Sequence, residues 1–102
     1  MSEFWFTLKV LNDEIFMKDF VREIFCDIWV AMIKKFKQIP STIENVEIKQ
    51  ENAKLSLKVN GTEVVLGDYV VKLIRNHLEA LFNSLNDIPA DRSRILIEIN
   101  KM

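Results

Sequence analysis

From Phe4 to Val10 the chain alternates strictly, with Phe4, Phe6, Leu8 and Val10 on one side and Trp5, Thr7 and Lys9 on the other. A period of two is the mark of a strand with one face buried and one face in water. The pattern returns at residues 54–59, where Leu55, Leu57 and Val59 alternate with Lys54, Ser56 and Lys58. It returns again at Val46 and Ile48, set between Asn45, Glu47 and Lys49, and in a last strand with Ile95, Ile97 and Ile99 inward and Arg94, Leu96 and Glu98 outward. Between these strands the period lengthens to three and four, which predicts two helices. The second helix carries one stripe through Tyr69, Val70, Leu73, Ile74, Leu78, Leu81, Phe82 and Leu85. The first has a broader one through Phe20, Val21, Ile24, Phe25, Ile28, Trp29, Met32, Ile33 and Phe36, widened further by Cys26 and Val30. That breadth implies deeper burial or a partner surface.

The punctuation between these elements is specific. Asn60-Gly61 tolerates the two positive φ values of a type I′ turn and predicts a hairpin, with a short second arm at residues 63–66. The matching site, Leu11-Asn12-Asp13, lacks glycine and is expected to turn with another geometry before a second arm at residues 14–17. Asp19 and Asp68 are expected at the helix starts, as N-cap or first-turn residues, where a carboxylate suits the free N–H groups and the dipole. Ile39-Pro40 and Ile88-Pro89 are expected to end the helices, because proline restricts the residue before it.

These elements come twice. Sliding the chain by 49 positions lays residues 6–50 on 55–99 with ten identities in 45, among them Lys9/Lys58, Glu14/Glu63, Asp19/Asp68 and the Ile-Pro pairs. Ordinary composition would give about three. Shared periodicity explains matched apolar positions but neither the polar matches nor the coincidence of the only two prolines. The expected fold is therefore α+β, a single domain over residues 1–102 made of tandem pseudo-symmetric ββαβ repeats at about 4–50 and 53–100. An antiparallel-rich sheet would carry both helices on one face, with the first strand of each unit between the other two of its own unit. The sequence does not determine how the units join: Gln50-Glu51-Asn52 is short enough for a hairpin between adjacent strands, which competes with a simple side-by-side pairing. If the short arms are ignored, a ferredoxin-like βαββαβ arrangement is the alternative.

Residues 57–66, Leu-Lys-Val-Asn-Gly-Thr-Glu-Val-Val-Leu, followed by Asp68-Tyr69-Val70, resemble small uncharacterised archaeal proteins built on a strand, an Asn-Gly-x-Glu turn and a helix opening with an aromatic residue and a valine. The resemblance covers about one repeat. It implies a fold and a source, and brings neither an activity nor site residues; the first copy departs from it at the turn.

Composition narrows the function classes. With 49% apolar residues and only two glycines and two prolines in 102 residues, the chain has the makings of a packed core. Fourteen basic and fifteen acidic residues give a net charge of −1, too little for a long-range pull on nucleic acid, and no partner of that kind is expected. A membrane is not expected either, because the apolar stretch from Ile15 to Phe36 carries seven charges, from Lys18 to Lys35. One cysteine rules out an intrachain disulfide and fits a reducing cytoplasm, and no secretory signal is expected of the opening Met-Ser-Glu-Phe-Trp-Phe.

No motif points to catalysis, a metal or a cofactor, and none of the three is expected. His77 falls on the stripe of the second helix, opposite Ile28 in the repeat, with no carboxylate or second ligand three or four residues away. It reads as a seam histidine; the functional alternative is a pocket residue with Cys26. Glu14 and Glu63 recur as a pair: they could form a symmetric carboxylate site, or each pair with its strand lysine, Lys9 or Lys58. Trp5 and Leu96 are apolar residues on the outward faces of their strands and, with Cys26 and Val30 on the flank of the first helix, are candidates for an interface. Two functions follow from these features. One is a non-catalytic interaction or structural module that binds itself as a dimer or binds another protein. The other is a small-molecule binding domain or minor enzyme with a pocket between the repeats near His77 and Cys26.

Overall fold

The computed structural model describes residues 3–102; the first two positions of the opening segment lie outside the described residues. The elements run β1 (Phe4–Val10), β2 (Asp13–Glu14), α1 (Asp19–Ile33), β3 (Asn45–Glu51), β4 (Lys54–Val59), β5 (Thr62–Val64), α2 (Asp68–Ser84) and β6 (Arg94–Lys101). All six strands form one sheet in the order β2-β1-β6-β3-β4-β5, and every neighbouring pair is antiparallel. The protein is thus mixed α+β.

The alternation settles which face is buried. Leu8, Ile97, Ile48 and Leu57 lie directly opposite one another across four strands, and each is at most 1% exposed. A second row, Phe6, Ile99, Val46 and Val59, runs beside it. Each such side chain contributes about 1.5–3 kcal/mol by leaving water. Cys26, Trp29, Val30 and Ile33 of α1 join the same core as Ile74, Leu78, Leu81 and Phe82 of α2, so both helices cover one face. The opposite face carries Thr7, Lys9, Glu47, Lys49, Lys58 and Glu98 and is solvated, an arrangement antiparallel sheets tolerate.

The strand order departs from expectation. Instead of lying between the two other strands of its own unit, β1 pairs with β2 and with β6, and β4 pairs with β5 and with β3. β3, from the first half of the chain, pairs only with β4 and β6, both from the second half. The sheet is therefore continuous only when both halves of the chain are present, with β3 and β6 as the central pair. Ile48 and Ile97 stand opposite each other at the middle of the sheet.

Pairings recur at the same offset as the sequence identities. Lys9 faces Glu14 as Lys58 faces Glu63. The Leu11 N–H donates to the Arg94 carbonyl at 3.0 Å, and the Asn60 N–H to the Asn45 carbonyl at 2.9 Å. Asn52 N–H to Ser93 and Lys101 N–H to Glu44 form a second such pair, at 2.9 and 2.8 Å.

Turn geometry supplies two corrections. Leu11 and Asn12 have φ of 53° and 70°, close to the 52° and 81° of Asn60 and Gly61, so the first turn adopts the same positive-φ form as the second despite its sequence. A two-residue connection between strongly twisted strands selects this turn, and the local sequence yields to it. Asn52-Ala53 between β3 and β4 has the same form, with φ of 49° and 71°. The helices, for their part, end at Ile33 and Ser84, well before the Ile-Pro pairs. The chain instead reverses at Gln38 and Asp87, at φ of 68° and 60°, and Ile-Pro then sets the direction of the loop into the next strand. Lys18 and Gly67 are the N-caps, leaving Asp19 and Asp68 in the first turn.

Candidate functional site

The two helices do not bury equivalent faces. At the repeat offset, the buried Ile74, Leu78, Leu81 and Phe82 of α2 correspond to Phe25, Trp29, Met32 and Ile33 of α1. In α1, Phe25 and Met32 are only half-buried, and Cys26 and Val30 take their places in the core. Their counterparts in α2 are Arg75 and Glu79, which stay in water. So α1 is rolled about its axis relative to α2. Cys26 and Val30, expected to widen an accessible flank, are 0% and 7% exposed and belong to the core. The Cys26 thiol points to the Phe4 carbonyl at 3.6 Å, over the open side of β1.

The roll turns the other side of α1 outward. Phe20, Ile24 and Ile28, four residues apart and so in one row along the helix, are 62%, 51% and 44% exposed, and Phe16 just before the helix is 82% exposed. Acidic Glu23 and Asp27 flank this row, with Lys34 and Lys35 beyond its C-terminal end, all of them exposed. Tyr69 and Val65, the counterparts of Phe20 and Phe16, are exposed as well, so Tyr69 lies outside the buried stripe of α2.

Two grooves lie at opposite ends of the helix pair. One, of about 790 Å³, is bounded by the end of α1 (Met32, Phe36) and by Val65, Leu66, Tyr69 and Val70 at the start of α2, with Lys35 and Lys37 beside it. The other, of about 430 Å³, occupies the matching place, with Ile15, Phe16, Met17 and Val21 against Ser84, Leu85, Asn86 and Asp87. The offset changes their chemistry. Lys35, Lys37 and Gln38 become Ser84, Asn86 and Asp87, so the larger groove is apolar with lysines at its side, and the smaller, also lined by apolar residues, carries both charges through Glu14, Lys18 and Asp87.

The remaining candidates are dispersed. His77 is half-buried; its Nδ1 lies 2.9 Å from the Leu73 carbonyl, a contact that fits an Nδ1–H donor, and its ring meets Trp29 edge-on at 6.0 Å. It forms a seam between the helices, and neither it nor Cys26 lines either groove. Glu14 and Glu63 sit on β2 and β5, the two outermost strands, about 24 Å apart at five strand spacings. A joint carboxylate site is geometrically impossible, and among the described residues no group of three or more His, Cys, Asp or Glu side chains is placed to hold a metal. Each faces its lysine across the ladder, although the ion pair that forms at Lys9 is with Glu98, at 3.8 Å.

Trp5 is 46% exposed, and the Arg22 guanidinium, which also pairs with Asp19 at 3.1 Å, covers one side of the indole at 4.2 Å from its centre. Leu96 is half-buried on the solvated face, in register between Lys9 and Lys49. A carboxylate far from the grooves, that of Asp91, is held below the usual aspartate range. The Ser93 backbone N–H, 3.0 Å away, is the main cause, followed by the Ser93 side chain and, more weakly, the charge of Arg94.

Periodicity identified the apolar residues of α1 without saying which would be exposed. The signal that could have done so was the contrast of Cys26/Arg75 and Val30/Glu79, since apolar residues on one flank invite a helix to roll toward it. Comparison with protein-family models, curated proteins and solved structures finds no match to this chain. No helix among the described residues is long and apolar enough to cross a membrane.

Proposed function

We propose that this protein is a non-catalytic module that associates with itself through the outer face of α1. The observation that carries this reading is the row Phe20, Ile24 and Ile28, close to half exposed or more along a helix whose opposite side is fully packed. Contiguous apolar surface of this kind marks contact sites. On the outward strand face Leu96 is surrounded by charged residues and Trp5 is covered on one side by Arg22, so neither forms a row like that on α1. A second copy suits the charges on α1, which run from Glu23 and Asp27 to Lys34 and Lys35, because an antiparallel partner presents the opposite order. The single buried cysteine is compatible with a reducing, cytoplasmic setting.

The recurrence of backbone pairings at the repeat offset supports a second inference, that the chain is a tandem duplication of one ββαβ unit. The central pairing of β3 with β6 then explains why the two units form one domain, since neither contains a continuous sheet of its own.

Size-exclusion chromatography with light scattering tests the association. The wild-type chain is expected to elute near twice the mass of one chain at high concentration, and Ile28→Glu near the mass of a single chain with an unchanged circular dichroism spectrum. A wild-type monomer at all concentrations removes the reading. The larger groove favours an alternative, the binding of a small apolar-tailed anion, which titration with dodecanoate would detect.

A further inference from the structure

We propose that the larger groove holds one free fatty carboxylate, its single tail on the apolar wall and its anionic head beside Lys35 and Lys37. This rests on the alternative reading of that groove given above, to which it adds the ligand class and the residues that recognise it, and it is independent of self-association through α1. Two observations carry it. The groove, at about 790 Å³, falls in the ~300–1,000 Å³ range of small-molecule sites, and its wall runs through Met32, Phe36, Val65, Leu66, Val70 and Leu73. Its charges are of one sign: Lys35 and Lys37 line it, and no carboxylate does. Both lysines are exposed. Among the described residues the ion pairs are Lys9–Glu98, Arg22–Asp19 and Lys49–Glu51, which leaves these two ammonium groups uncompensated.

The chain contains its own control. At the offset of 49 the smaller groove keeps an apolar wall, with Ile15, Phe16, Met17 and Val21 in place of Val64, Val65, Leu66 and Val70. Its polar residues differ, and an anionic head there would meet the carboxylates of Glu14 and Asp87 against the single ammonium of Lys18. Of two grooves in like positions, only the larger suits an anion. A tail is needed as well as a head. Two solvated lysines hold a bare anion weakly, whereas each methylene that leaves water tightens binding about two- to fourfold. Because the lysines are exposed, the carboxylate can stay hydrated while the tail is covered.

Calorimetric titration with dodecanoate below its micelle concentration tests the proposal, with methyl and Tyr69 ring resonances locating the site. Expected is saturation at one molecule per chain, with shifts at Val65, Leu66 and Tyr69. The dissociation constant should fall about two- to fourfold per methylene from octanoate to dodecanoate. Dodecanol and dodecyltrimethylammonium keep the tail and should bind about fivefold more weakly or worse. Lys35→Ser with Lys37→Asn, which installs the residues of the smaller groove, should weaken dodecanoate to the level of dodecanol and leave dodecanol unchanged. Val65→Asp, at a position 82% exposed, should abolish dodecanoate binding with an unchanged thermal melt. Ile28→Glu lies outside the groove and should bind as the wild type does. Vesicles of phosphatidylcholine and phosphatidylglycerol should not sediment the protein.

Binding that ignores the lysine variant, or that is equal for dodecanol, overturns recognition of the head and leaves a groove for apolar tails of any kind. Equal shifts at Ile15 and Val21 overturn the distinction between the grooves, and sedimentation with the vesicles overturns the free carboxylate as the ligand. Absence of saturable binding overturns this proposal together with the alternative reading, and leaves self-association, measured separately by light scattering, untouched.

Discussion

Ala53 occupies the second position of the two-residue turn between β3 and β4, with φ of 71°. For an L-residue with a Cβ, the left-handed region costs about 1–2 kcal/mol, from crowding between that carbon and the following carbonyl. Ala53→Gly removes the cost and returns about 0.4–1 kcal/mol of it through the greater freedom of glycine in the unfolded chain. The expected net gain is about 0.5–1 kcal/mol. The hydrogen bond from Arg75 to the residue 53 carbonyl is to the backbone and survives the change. Gly61→Ala is the mirror experiment. It lies at φ of 81° with no atom within 4 Å of the added Cβ, so strain alone is tested, and a loss of about the same size is expected.

Urea titrations at one fixed protein concentration give both values, since any association would shift apparent stability by mass action. Melting temperatures should move about 3–6 °C in opposite directions, and the dependence on urea should be unchanged in slope. A destabilised Ala53→Gly beside an unaffected Gly61→Ala would mean that the turn is not held at positive φ, and the strain argument would fail.

Other perturbations probe the parts of the structure that position the helix pair. Asn60 accepts from the N–H groups of Glu44 and Asn45 at 2.7 and 3.1 Å and donates to the Thr42 carbonyl at 2.9 Å. Asn60→Gly keeps the turn but loses this clamp on the loop into β3, and should cost about 1–2 kcal/mol by chemical denaturation; no change would show that the loop holds itself. His77→Ile should alter stability by no more than about 1 kcal/mol, exchanging the edge contact with Trp29 for aliphatic packing, and should leave association unchanged. A large loss of binding in that variant would restore His77 as a site residue. Because the folded carboxyl of Asp91 is depressed, its small stabilising contribution is complete above the usual aspartate value and disappears as pH falls through the lower folded value. Carbon-detected titration should place its midpoint below that of a free aspartate, and Ser93→Pro, which removes the main N–H donor, should raise it.

The strand faces were legible because burial on one side alone leaves a strict alternation, and Phe6, Leu8 and Val10 fell inward as read. Asn60-Gly61 was legible because those residues suit positive φ. Leu11-Asn12 was not, since nothing in a leucine announces a conformation that the twist of β1 and β2 imposes on it. The central pairing of β3 with β6 was hidden for another reason. Alternation fixes which face of a strand is buried but not which neighbour it takes, and all four long strands carry interchangeable aliphatic rows. The accessible face of α1 was half visible. Its excess of apolar residues pointed to a contact surface, while the assignment to Cys26 and Val30 inverted the roll of the helix. Small Cys26 fits closely against the backbone at Phe4, and larger Phe20, Ile24 and Ile28 are turned to the outside.

The face of contact is the central claim, and amide chemical shifts followed on dilution report on it residue by residue. The account predicts concentration-dependent shifts concentrated at Phe20, Ile24 and Ile28, with Thr7, Glu47 and Leu96 on the solvated sheet face unmoved. Shifts confined to the sheet face, or spectra that do not change with concentration, would contradict it.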